Sequence, residues 1–395
     1  MPTATDQTYH AYPIEKSRQG ERRMTIHRAA IVGLTWIAAG PIHEPPHPVF
    51  GHVHADNHAA GYLPIENVTV VGACDLVPER NAEFTANWGT HWPEAKTYTN
   101  FKQMLAETTP DILSVVTPDH RHADIVVAAC EMGVRGIYCE KPIATTLVDA
   151  DRIIAACRAH DVVLSIDHTR RWRQVWHQAR NLVRSGDLGP LRRIVASLAG
   201  PRAMLFRNAT HLVDMVNFFA DSDPAWVIAD LDETHATYGP RYAGDGGHDP
   251  ATDPGSSAYV RYANGVRAFI VANKDGVARF ELRIECEHGR ITIDDAAGAA
   301  EVSQLAKAAP LGGDAQGSAR TMRWTLPAAP IAWGGLEAGL REVIAHVDAK
   351  AAGVAPPAPL VSTGEDGRRT LSVLLGILQS QQAGNAKVAY PITDA

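Results

Sequence analysis

The sequence predicts an α/β fold made of an N-terminal Rossmann domain and a C-terminal α+β domain. The first part follows from apolar, β-branched strands that alternate with helical segments through residue 166, which gives a doubly wound parallel sheet. The second follows from consecutive strand-like runs after residue 168, with hairpin turns at Asn264-Gly265 and His288-Gly289, which indicate an open, mainly antiparallel sheet. We expect an arm-like or disordered extension over 1–26, the Rossmann domain over 27–167 and the second domain over 168–395.

The composition is that of a soluble globular protein, with 45% hydrophobic and 21% charged residues among 395. A net charge of -7 and the lack of a basic block argue against nucleic acid as a partner. No apolar run of about 18 residues predicts a membrane span. Five scattered cysteines without a C-x-x-C pair indicate a reducing compartment, so we expect a cytoplasmic protein.

The first strand, residues 28–33, ends in the turn Gly33-Leu34-Thr35-Trp36-Ile37-Ala38. This is the dinucleotide-binding pattern G-x-G-x-x-G/A with Thr35 in place of its second glycine. That glycine normally lets the backbone approach a pyrophosphate, so the pattern gains its meaning from the strand and helix around it. We expect Gly33, Thr35, Trp36 and Ile37 to contact the cofactor.

Residues 40–58 are rich in proline and histidine, and the prolines exclude a regular helix before about residue 53. One interpretation is a metal site, and the other is a histidine-rich active-site loop or surface insertion. No cysteine or carboxylate cluster accompanies the histidines. Pro45 and Pro46 interrupt the i,i+4 pair His43 and His47, which leaves only His54 and His58 able to share a helix face, so we expect no metal. The histidines are His43, His47, His52, His54 and His58.

The second strand, residues 68–75, ends in Asp75. An acid at this strand tip accepts hydrogen bonds from the adenosine ribose 2′-hydroxyl and repels a 2′-phosphate. Asp75 therefore favours NAD, while Arg80 just beyond it keeps NADP as the alternative. Capping of the helix that begins near Val77 is a second, compatible role for Asp75.

The next two strands carry polar groups at their tips. Residues 111–118 end in Thr117-Pro118, before a helix that runs to about Met132. Residues 136–140 lead into Glu140-Lys141-Pro142. Ligands of open α/β sheets bind at such tips, so Lys141 is either a catalytic acid/base or a surface lysine. A helix over 146–160 and a strand over 162–166 complete the domain.

The second domain is predicted to contain helices near 173–186, 334–350 and 366–383, and a short helix in which His211 and Asp214 share one face. Residues 300–330 carry little pattern, so we expect a loop with short strands there. Strands are predicted over 192–198, 225–233, 256–263, 266–273, 279–286 and 290–293, with a last edge strand at 388–391.

With these residues in place, the chain resembles the Gfo/Idh/MocA family, the glucose–fructose oxidoreductase and inositol dehydrogenase group, over about residues 28–393. The most specific mark is Glu140-Lys141-Pro142, the family's E-K-P. The supporting marks are Thr117-Pro118-Asp119 with His122, Ser185-Gly186-Asp187-Leu188-Gly189, Thr210-His211-Leu212-Val213-Asp214 and Gly364-Glu365-Asp366-Gly367-Arg368.

The resemblance implies a nicotinamide dinucleotide, a sugar or polyol substrate against the open sheet, and hydride transfer at a carbinol carbon. It places the acid/base at Lys141, with His211 assisting and Glu140 orienting the lysine or the cofactor. It adds Thr117, Pro118, His122, Glu140 and Lys141 to the cofactor contacts, and Lys141, Arg170, Arg207, His211 and Asp214 as substrate contacts. In the alternative interpretation, His211 and Asp214 only cap and brace a helix.

Arg207 departs from the family pattern, in which many dehydrogenases carry an aspartate four residues before the histidine. A guanidinium binds carboxylates bidentately, so we expect Arg207 to bind a substrate carboxylate or another oxygen-rich group. The alternative is a structural salt bridge. The substrate class therefore includes sugar acids.

Two other activities share the resemblance: an NAD-dependent glycosidase that acts by transient oxidation and elimination, and a non-catalytic sensor that binds the nucleotide. The intact Lys141 and His211 favour the dehydrogenase. The second domain's sheet is expected to leave one face free for a partner subunit, which predicts a homodimer or homotetramer.

Overall fold

The computed structural model describes residues 25–41, 55–233, 242–244, 249–295, 298–305, 321–326 and 335–394. The predictions for residues 1–24 and for His43, His47, His52 and His54 lie outside these ranges. Within them, no helix has both the length and the apolar character needed to cross a membrane.

Six parallel strands form the first sheet, in the order β3-β2-β1-β4-β5-β6. The order reverses direction at β1, which pairs with both β2 and β4, and ligands of open α/β sheets bind beside such a switch point. The predicted Rossmann sheet is confirmed. Its strands are β1 (His27–Val32), β2 (Val68–Cys74), β3 (Lys96–Tyr98), β4 (Ile112–Val115), β5 (Gly136–Cys139) and β6 (Val163–Ile166).

Helices cover both faces of this sheet, so its strands are apolar throughout rather than alternating. Three of them begin at side-chain caps: Asn57 accepts from the amide of Ala60, Asn100 from that of Lys102, and Thr146 from that of Asp149. The helices are α1 (Trp36–Ala39), α2 (His58–Tyr62), α3 (Pro78–Trp88), α4 (Phe101–Thr108), α5 (His122–Glu131) and α6 (Leu147–Ala159).

Nine strands form the second sheet, in the order β14-β13-β12-β11-β7-β10-β9-β8-β15. Every neighbouring pair is antiparallel except β7 with β10, so the mainly antiparallel sheet is confirmed. The strands are β7 (Leu191–Ala199), β8 (Pro224–Leu231), β9 (Ser256–Tyr262), β10 (Arg267–Asn273), β11 (Arg279–Cys286), β12 (Gly289–Asp294), β13 (Ala299–Leu305), β14 (Thr321–Leu326) and β15 (Val388–Ala389).

The four further helices are α7 (Gln174–Arg184), α8 (Ala209–Ala220), α9 (Leu336–Ala352) and α10 (Gly364–Gln382). Of these, α7, α8 and α10 pack on the second sheet, whereas α9 packs on the first. Helix α8 packs on β7 and β10, and α10 packs on β8 as well as on α6 of the first sheet. Helix α9 returns to β5, where Gly136 leaves room for Val343 and Val347.

One strand was not predicted, and two were expected only as short strands without bounds. Strand β3 has only three residues, Lys96–Tyr98, too few to show a period. Strands β13 and β14 lie in the region expected to be a loop with short strands. In β13 the side chains of Ala300 and Val302 are buried, whereas all of β14 lies at the exposed sheet edge and so lacks an apolar alternation.

Candidate active site

Lys141 lies directly after β5, at the carboxyl edge of the parallel sheet. Its side chain is only 11% exposed. The ammonium Nζ donates to the backbone carbonyl of Arg207 at 2.9 Å and lies 4.0 Å from Oε2 of Glu140. Burial lowers the pKa of Lys141, the Glu140 charge opposes this, and the Arg207 charge adds to it. The lysine is therefore a buried amine for which Glu140 is the one carboxylate within 4.0 Å in the described part of the chain.

Glu140 faces away from solvent and is held on both oxygens. Its Oε2 accepts the amide of Lys141 at 3.1 Å, and its Oε1 lies 3.5 Å from Nε2 of His58. Burial alone would raise the pKa of Glu140, but the hydrogen bond from His58 and the charge of Lys141 outweigh it and lower that pKa. Glu140 is thus an ionised carboxylate beside the lysine.

His211 approaches from the second domain, on helix α8. Its Nδ1 is buried and has no hydrogen-bond partner in the described part of the chain. Burial, and then the charges of Lys141 and Arg170, hold the pKa of His211 well below its usual range. The ring is therefore neutral at physiological pH, with a nitrogen available to a ligand.

Asp214 lies behind this histidine and is fully buried. Its carboxylate accepts Nε of Arg171 at 2.8 Å and the hydroxyl of Thr370 at 3.1 Å, and lies 3.5 Å from Nδ1 of His168. The His168 ring in turn meets the His211 ring edge to face, 5.9 Å between centroids. Asp214 thus reaches His211 through His168.

The two predicted substrate arginines differ in what holds them. Arg207 donates its backbone amide to Asp253 at 2.9 Å, while its guanidinium forms no hydrogen bond or ion pair with the residues described. Arg170 instead lies 3.7 Å above the Phe280 ring, and its Nε donates to Asp295 at 3.0 Å. Arg207 is free to contact a ligand, and Arg170 is already paired.

The opposite edge of the site has the features of a dinucleotide cradle. Gly33 has φ +86°, and a Cβ there would lie 2.4 Å from the carbonyl oxygen of Val116. Asp75 accepts the amides of Leu34 at 2.8 Å and Val77 at 2.9 Å, one on each oxygen. Helix α3 has Val77 as its N-cap residue and no side-chain cap, so the predicted capping role of Asp75 is wrong. Thr35 has an extended backbone (φ −67°, ψ 176°), so this turn does not require glycine there.

The remaining predicted cofactor residues lie between this cradle and Lys141. Oγ1 of Thr117 is buried and has no hydrogen-bond partner among the described residues, and Trp36 is 51% exposed. His122 joins two loops, because its Nε2 lies 2.9 Å from the carbonyl of Thr117 and its Nδ1 lies 3.1 Å from that of Pro142. The orphaned Thr117 hydroxyl and the crowded glycine fit a dinucleotide at this edge.

A segment over 242–244 also reaches this edge. The Tyr242 hydroxyl donates to Asp119, its ring stacks on Phe206 with centroids 3.8 Å apart, and Nδ1 of His120 lies 3.1 Å from the carbonyl of Gly244. Burial raises the pKa of Asp119, with the charge of His122 and the Tyr242 hydrogen bond opposing. The segment 242–244 therefore contributes to the wall of the site.

Sequence reasoning missed Asp167, Asp253 and Tyr242. Asp167 follows β6 and was detectable by the rule already applied to Asp75, since it is an acid at the tip of a parallel strand. Asp253 and Tyr242 lie outside regular strands and helices and have no neighbouring motif, so no signal in the sequence marked them.

Two family models match the chain. The model described as "Oxidoreductase family, NAD-binding Rossmann fold" matches residues 28–168, and the GFO/IDH/MocA C-terminal domain matches residues 176–292. Together they cover more than half of the 395 residues.

Individual proteins are similar over shorter or more divergent stretches. Inositol 2-dehydrogenase of Salmonella paratyphi B is 25% identical over 169 residues, 40% of this chain and 49% of that protein. D-apiose dehydrogenase of Paraburkholderia graminis is 29% identical over 133 residues, 34% of each protein. The matches thus span about half or less of these relatives.

Among solved structures, the WlbA dehydrogenase of Bordetella pertussis in complex with NADH and UDP-GlcNAcA has a similar fold. The TM-score is 0.66 at 16% identity, over 93% of this chain and 99% of that one. At this identity the likeness concerns the fold alone, and it extends over both domains.

Proposed function

Because the chain belongs to the GFO/IDH/MocA family, we propose that it transfers hydride between a nicotinamide dinucleotide and a carbinol carbon of a sugar, polyol or sugar acid. Lys141 is the acid/base and His211 assists it. The observation that carries the proposal is the buried Nζ of Lys141, which faces a second domain where the buried Nδ1 of His211 has no partner among the described residues.

Oxidation of an alcohol requires removal of the hydroxyl proton as hydride leaves the same carbon. When bound, the nicotinamide ring accepts that hydride. The uncharged amine of Lys141 takes the proton, and its lowered pKa increases the uncharged fraction near neutral pH. In the reverse direction the Lys141 ammonium returns the proton to the carbonyl oxygen.

His211 is proposed to hydrogen-bond the reacting hydroxyl, since it is neutral and has a free ring nitrogen. Asp214 contributes indirectly. Its buried ion pair with Arg171 fixes the carboxylate beside His168, which packs against the His211 ring. We therefore assign the direct substrate contact to His211, and an indirect, supporting role to Asp214.

The cofactor is proposed to be NAD, with NADP as the alternative. Asp75 supports NAD because an anion at this strand tip repels a 2′-phosphate. NADH in the Bordetella pertussis dehydrogenase supports a nicotinamide dinucleotide in this fold. The residues proposed to hold it are Gly33, Thr35, Trp36, Ile37, Asp75, Thr117, Pro118, His122, Glu140 and Lys141.

The substrate is proposed to contact Arg207, whose guanidinium is unpaired within the described residues. Arg170 is held by Asp295 and Phe280, so we assign it a smaller share of substrate binding. A cation beside Lys141 favours an oxygen-rich or anionic substituent, and the UDP-GlcNAcA of the related structure is compatible with this.

A thermal-shift titration with NAD and NADP, followed by NADH absorbance with a panel of sugars, polyols and sugar acids, tests the proposal. Stabilisation by NAD and NADH formation with at least one panel member are expected. Binding of neither dinucleotide contradicts the proposal. Glycoside cleavage with retained NAD and no net NADH would instead identify the oxidation–elimination glycosidase.

A second copy of this chain is proposed to cover the uncovered face of the second sheet. Ile228, Phe269 and Val271 are 37%, 38% and 39% exposed there, and the Phe269 ring stacks on that of Tyr259. Such a continuous apolar face is typical of subunit interfaces. Light scattering on purified protein should give the mass of a dimer or tetramer, and a monomer would contradict the assignment.

A further inference from the structure

Next to Lys141, a buried group of polar side chains runs into the core of the first domain. None of its members is more than 7% exposed. They come from helix α2 and from the neighbouring strands β4, β5 and β6, at the carboxyl end of the sheet. They are His58, Tyr62, Ser114, Tyr138, Glu140 and Asp167.

One branch of this group fixes the protonated nitrogen of His58. The Tyr62 hydroxyl lies 2.9 Å from Oγ of Ser114, which lies 3.1 Å from Nδ1 of His58. The other ring nitrogen, Nε2, faces carboxylate oxygens of Glu140 at 3.5 Å and Asp167 at 3.7 Å. Only a ring that carries its proton on Nε2 presents a donor to these oxygens. Ser114 then donates to Nδ1, and Tyr62 donates to Ser114.

A second branch holds Asp167 beside Glu140. The Tyr138 hydroxyl donates to Oδ1 of Asp167 at 2.7 Å. Burial, and then the Glu140 charge, raise the pKa of Asp167 well above its usual range, which favours its protonated form. Carboxyl oxygens of Asp167 and Glu140 and Nε2 of His58 lie within 4.8 Å of one another, so the protonated acid is placed beside the Glu140 carboxylate. Glu140 thus receives hydrogen bonds from His58 and from the amide of Lys141, with Asp167 next to it.

We propose that His58 and Asp167 are positioning residues, which hold Glu140 as a fixed anion opposite the amino group of Lys141. The inference rests on the proposed role of Lys141 as acid/base. An anion 4.0 Å from Nζ stabilises the ammonium and raises the pH at which the lysine loses its proton. His58 and Asp167 therefore set the working pH of the base without touching the substrate.

Other charged or titratable groups act on the same lysine and carboxylates, and they stay unchanged in the test below. Arg207 opposes the ammonium from the second domain, and Asp119 favours it from the loop after β4. The Tyr138 hydroxyl faces Asp167 from β5, and the Tyr62 hydroxyl faces Ser114 from α2. Glu342 of α9 acts on Tyr138, and His211 of α8 lies close enough to Lys141 and Arg170 for their charges to act on its ring.

The test measures the titration of Lys141 itself. Protein labelled with ¹³C at the lysine ε-carbon is titrated by NMR, and Lys141→Met assigns the resonance. Glu140→Gln removes the anion and should shift the Lys141 titration down by about 1 to 3 pH units. His58→Phe keeps an aromatic ring but no donor, and Asp167→Leu removes the acid, so each should produce roughly half of that shift.

Asp167→Asn is the matched control. Its amide can donate to Glu140 as the protonated acid can, so the Lys141 titration should stay within about 0.3 pH units of the wild type. No substrate or dinucleotide is needed, so this result is separate from the fate of the proposed function. Thermal unfolding of each variant confirms that the titrated protein is folded. The acid limb of kcat/KM should move in the same direction as the NMR titration.

Three results would overturn the proposal. A His58→Phe variant that is folded and titrates like the wild type would show that His58 does not act on the lysine. An Asp167→Asn shift as large as that of Glu140→Gln would show that Asp167 carries the charge. The Nε2 and carboxylate oxygens lie within 4.8 Å of one another, so one equivalent of a divalent metal found by elemental analysis would assign them to a metal instead.

Discussion

Replacing Arg207 by methionine separates recognition of an anionic substrate from general support of the site. The guanidinium is half-buried and unpaired in the described part of the chain, so the substitution breaks no ion pair within the protein. A hydrogen bond to a charged group contributes about 1.5–3 kcal/mol. Because about 1.4 kcal/mol corresponds to a factor of ten, Arg207→Met should raise KM for a carboxylate substrate about 10- to 100-fold.

The same substitution should change the pH dependence in a defined direction. The Arg207 charge lowers the pKa of Lys141, so its removal raises that pKa and moves the acid limb of kcat to higher pH. This second effect applies equally to neutral and anionic substrates. Arg207→Lys keeps the positive charge but cannot form bidentate hydrogen bonds. It should therefore preserve the pH profile, and its KM for the carboxylate substrate should lie between those of the wild type and Arg207→Met.

The assay compares initial rates for a sugar acid and its neutral parent sugar across pH, in wild type and in both variants. Arg170→Met is the matched control, since that guanidinium is already paired with Asp295. It should lower thermal stability and affect both substrates alike. An unchanged KM for every substrate turned over by Arg207→Met, or an equal rise for the neutral and the acidic substrate, would refute the reasoning.

Three further predictions concern the cofactor edge and the loop that carries Arg207. Asp75→Ser removes one charged acceptor, so it should raise the Kd for NAD about tenfold or more. The ratio of the Kd for NADP to the Kd for NAD should fall, and fluorescence titration measures both constants. Gly33→Ala should abolish detectable dinucleotide binding, since its Cβ would lie 2.4 Å from the Val116 carbonyl oxygen. Burial raises the pKa of Asp253 in the folded protein to about 7, so the folded state holds a proton that the unfolded state has already lost. The stability that this proton contributes is therefore lost as the pH rises from about 4 to 7. Asp253→Asn should therefore gain on the wild type by up to about 1.4 kcal/mol per pH unit over that range in urea denaturation.

Each of these has an outcome that contradicts it. An Asp75→Ser protein with unchanged Kd for both dinucleotides would remove Asp75 from the binding site. A Gly33→Ala protein that binds NAD normally would show that the turn relaxes or lies elsewhere. A pH-independent difference between Asp253→Asn and the wild type would show that Asp253 does not titrate there.

The parallel sheet was predictable because its strands are short, apolar and separated by capped helices. The tips of those strands were predictable for the same reason: Asp75, Thr117 and Lys141 each follow an apolar run, and parallel strands bring their ends to one edge. The bounds of strand β14 could not be predicted, because its side chains lie at an exposed edge and show no alternation.

The contacts between the two domains were beyond sequence reasoning. Arg207 and Lys141 are 66 residues apart, and their contact runs through a backbone carbonyl that no residue type encodes. The pairing of Arg170 with Asp295, across 125 residues, is likewise invisible in a local pattern. Family resemblance supplied Arg207 and His211, while the structure alone shows which of the arginines is free.

The histidine-rich segment illustrates a third limit. His58 was considered together with four other histidines as a loop or a metal site. In the structure it is the first residue of α2, which Asn57 caps, and its ring points into the core, against Ser114 and Glu140. The sequence suggested one shared role for the five histidines, whereas in the structure His58 belongs to the buried polar group next to Lys141.

The most direct test of the account is Lys141→Met with NAD binding and turnover measured on the same preparation. Loss of a general base costs about 10²- to 10⁴-fold, so kcat should fall by that factor. The Kd for NAD should rise far less than kcat falls, because Lys141 is one of several proposed cofactor contacts and the cradle at Gly33 and Asp75 keeps its own. A folded Lys141→Met protein that binds NAD and keeps kcat within about threefold of the wild type would contradict the central claim.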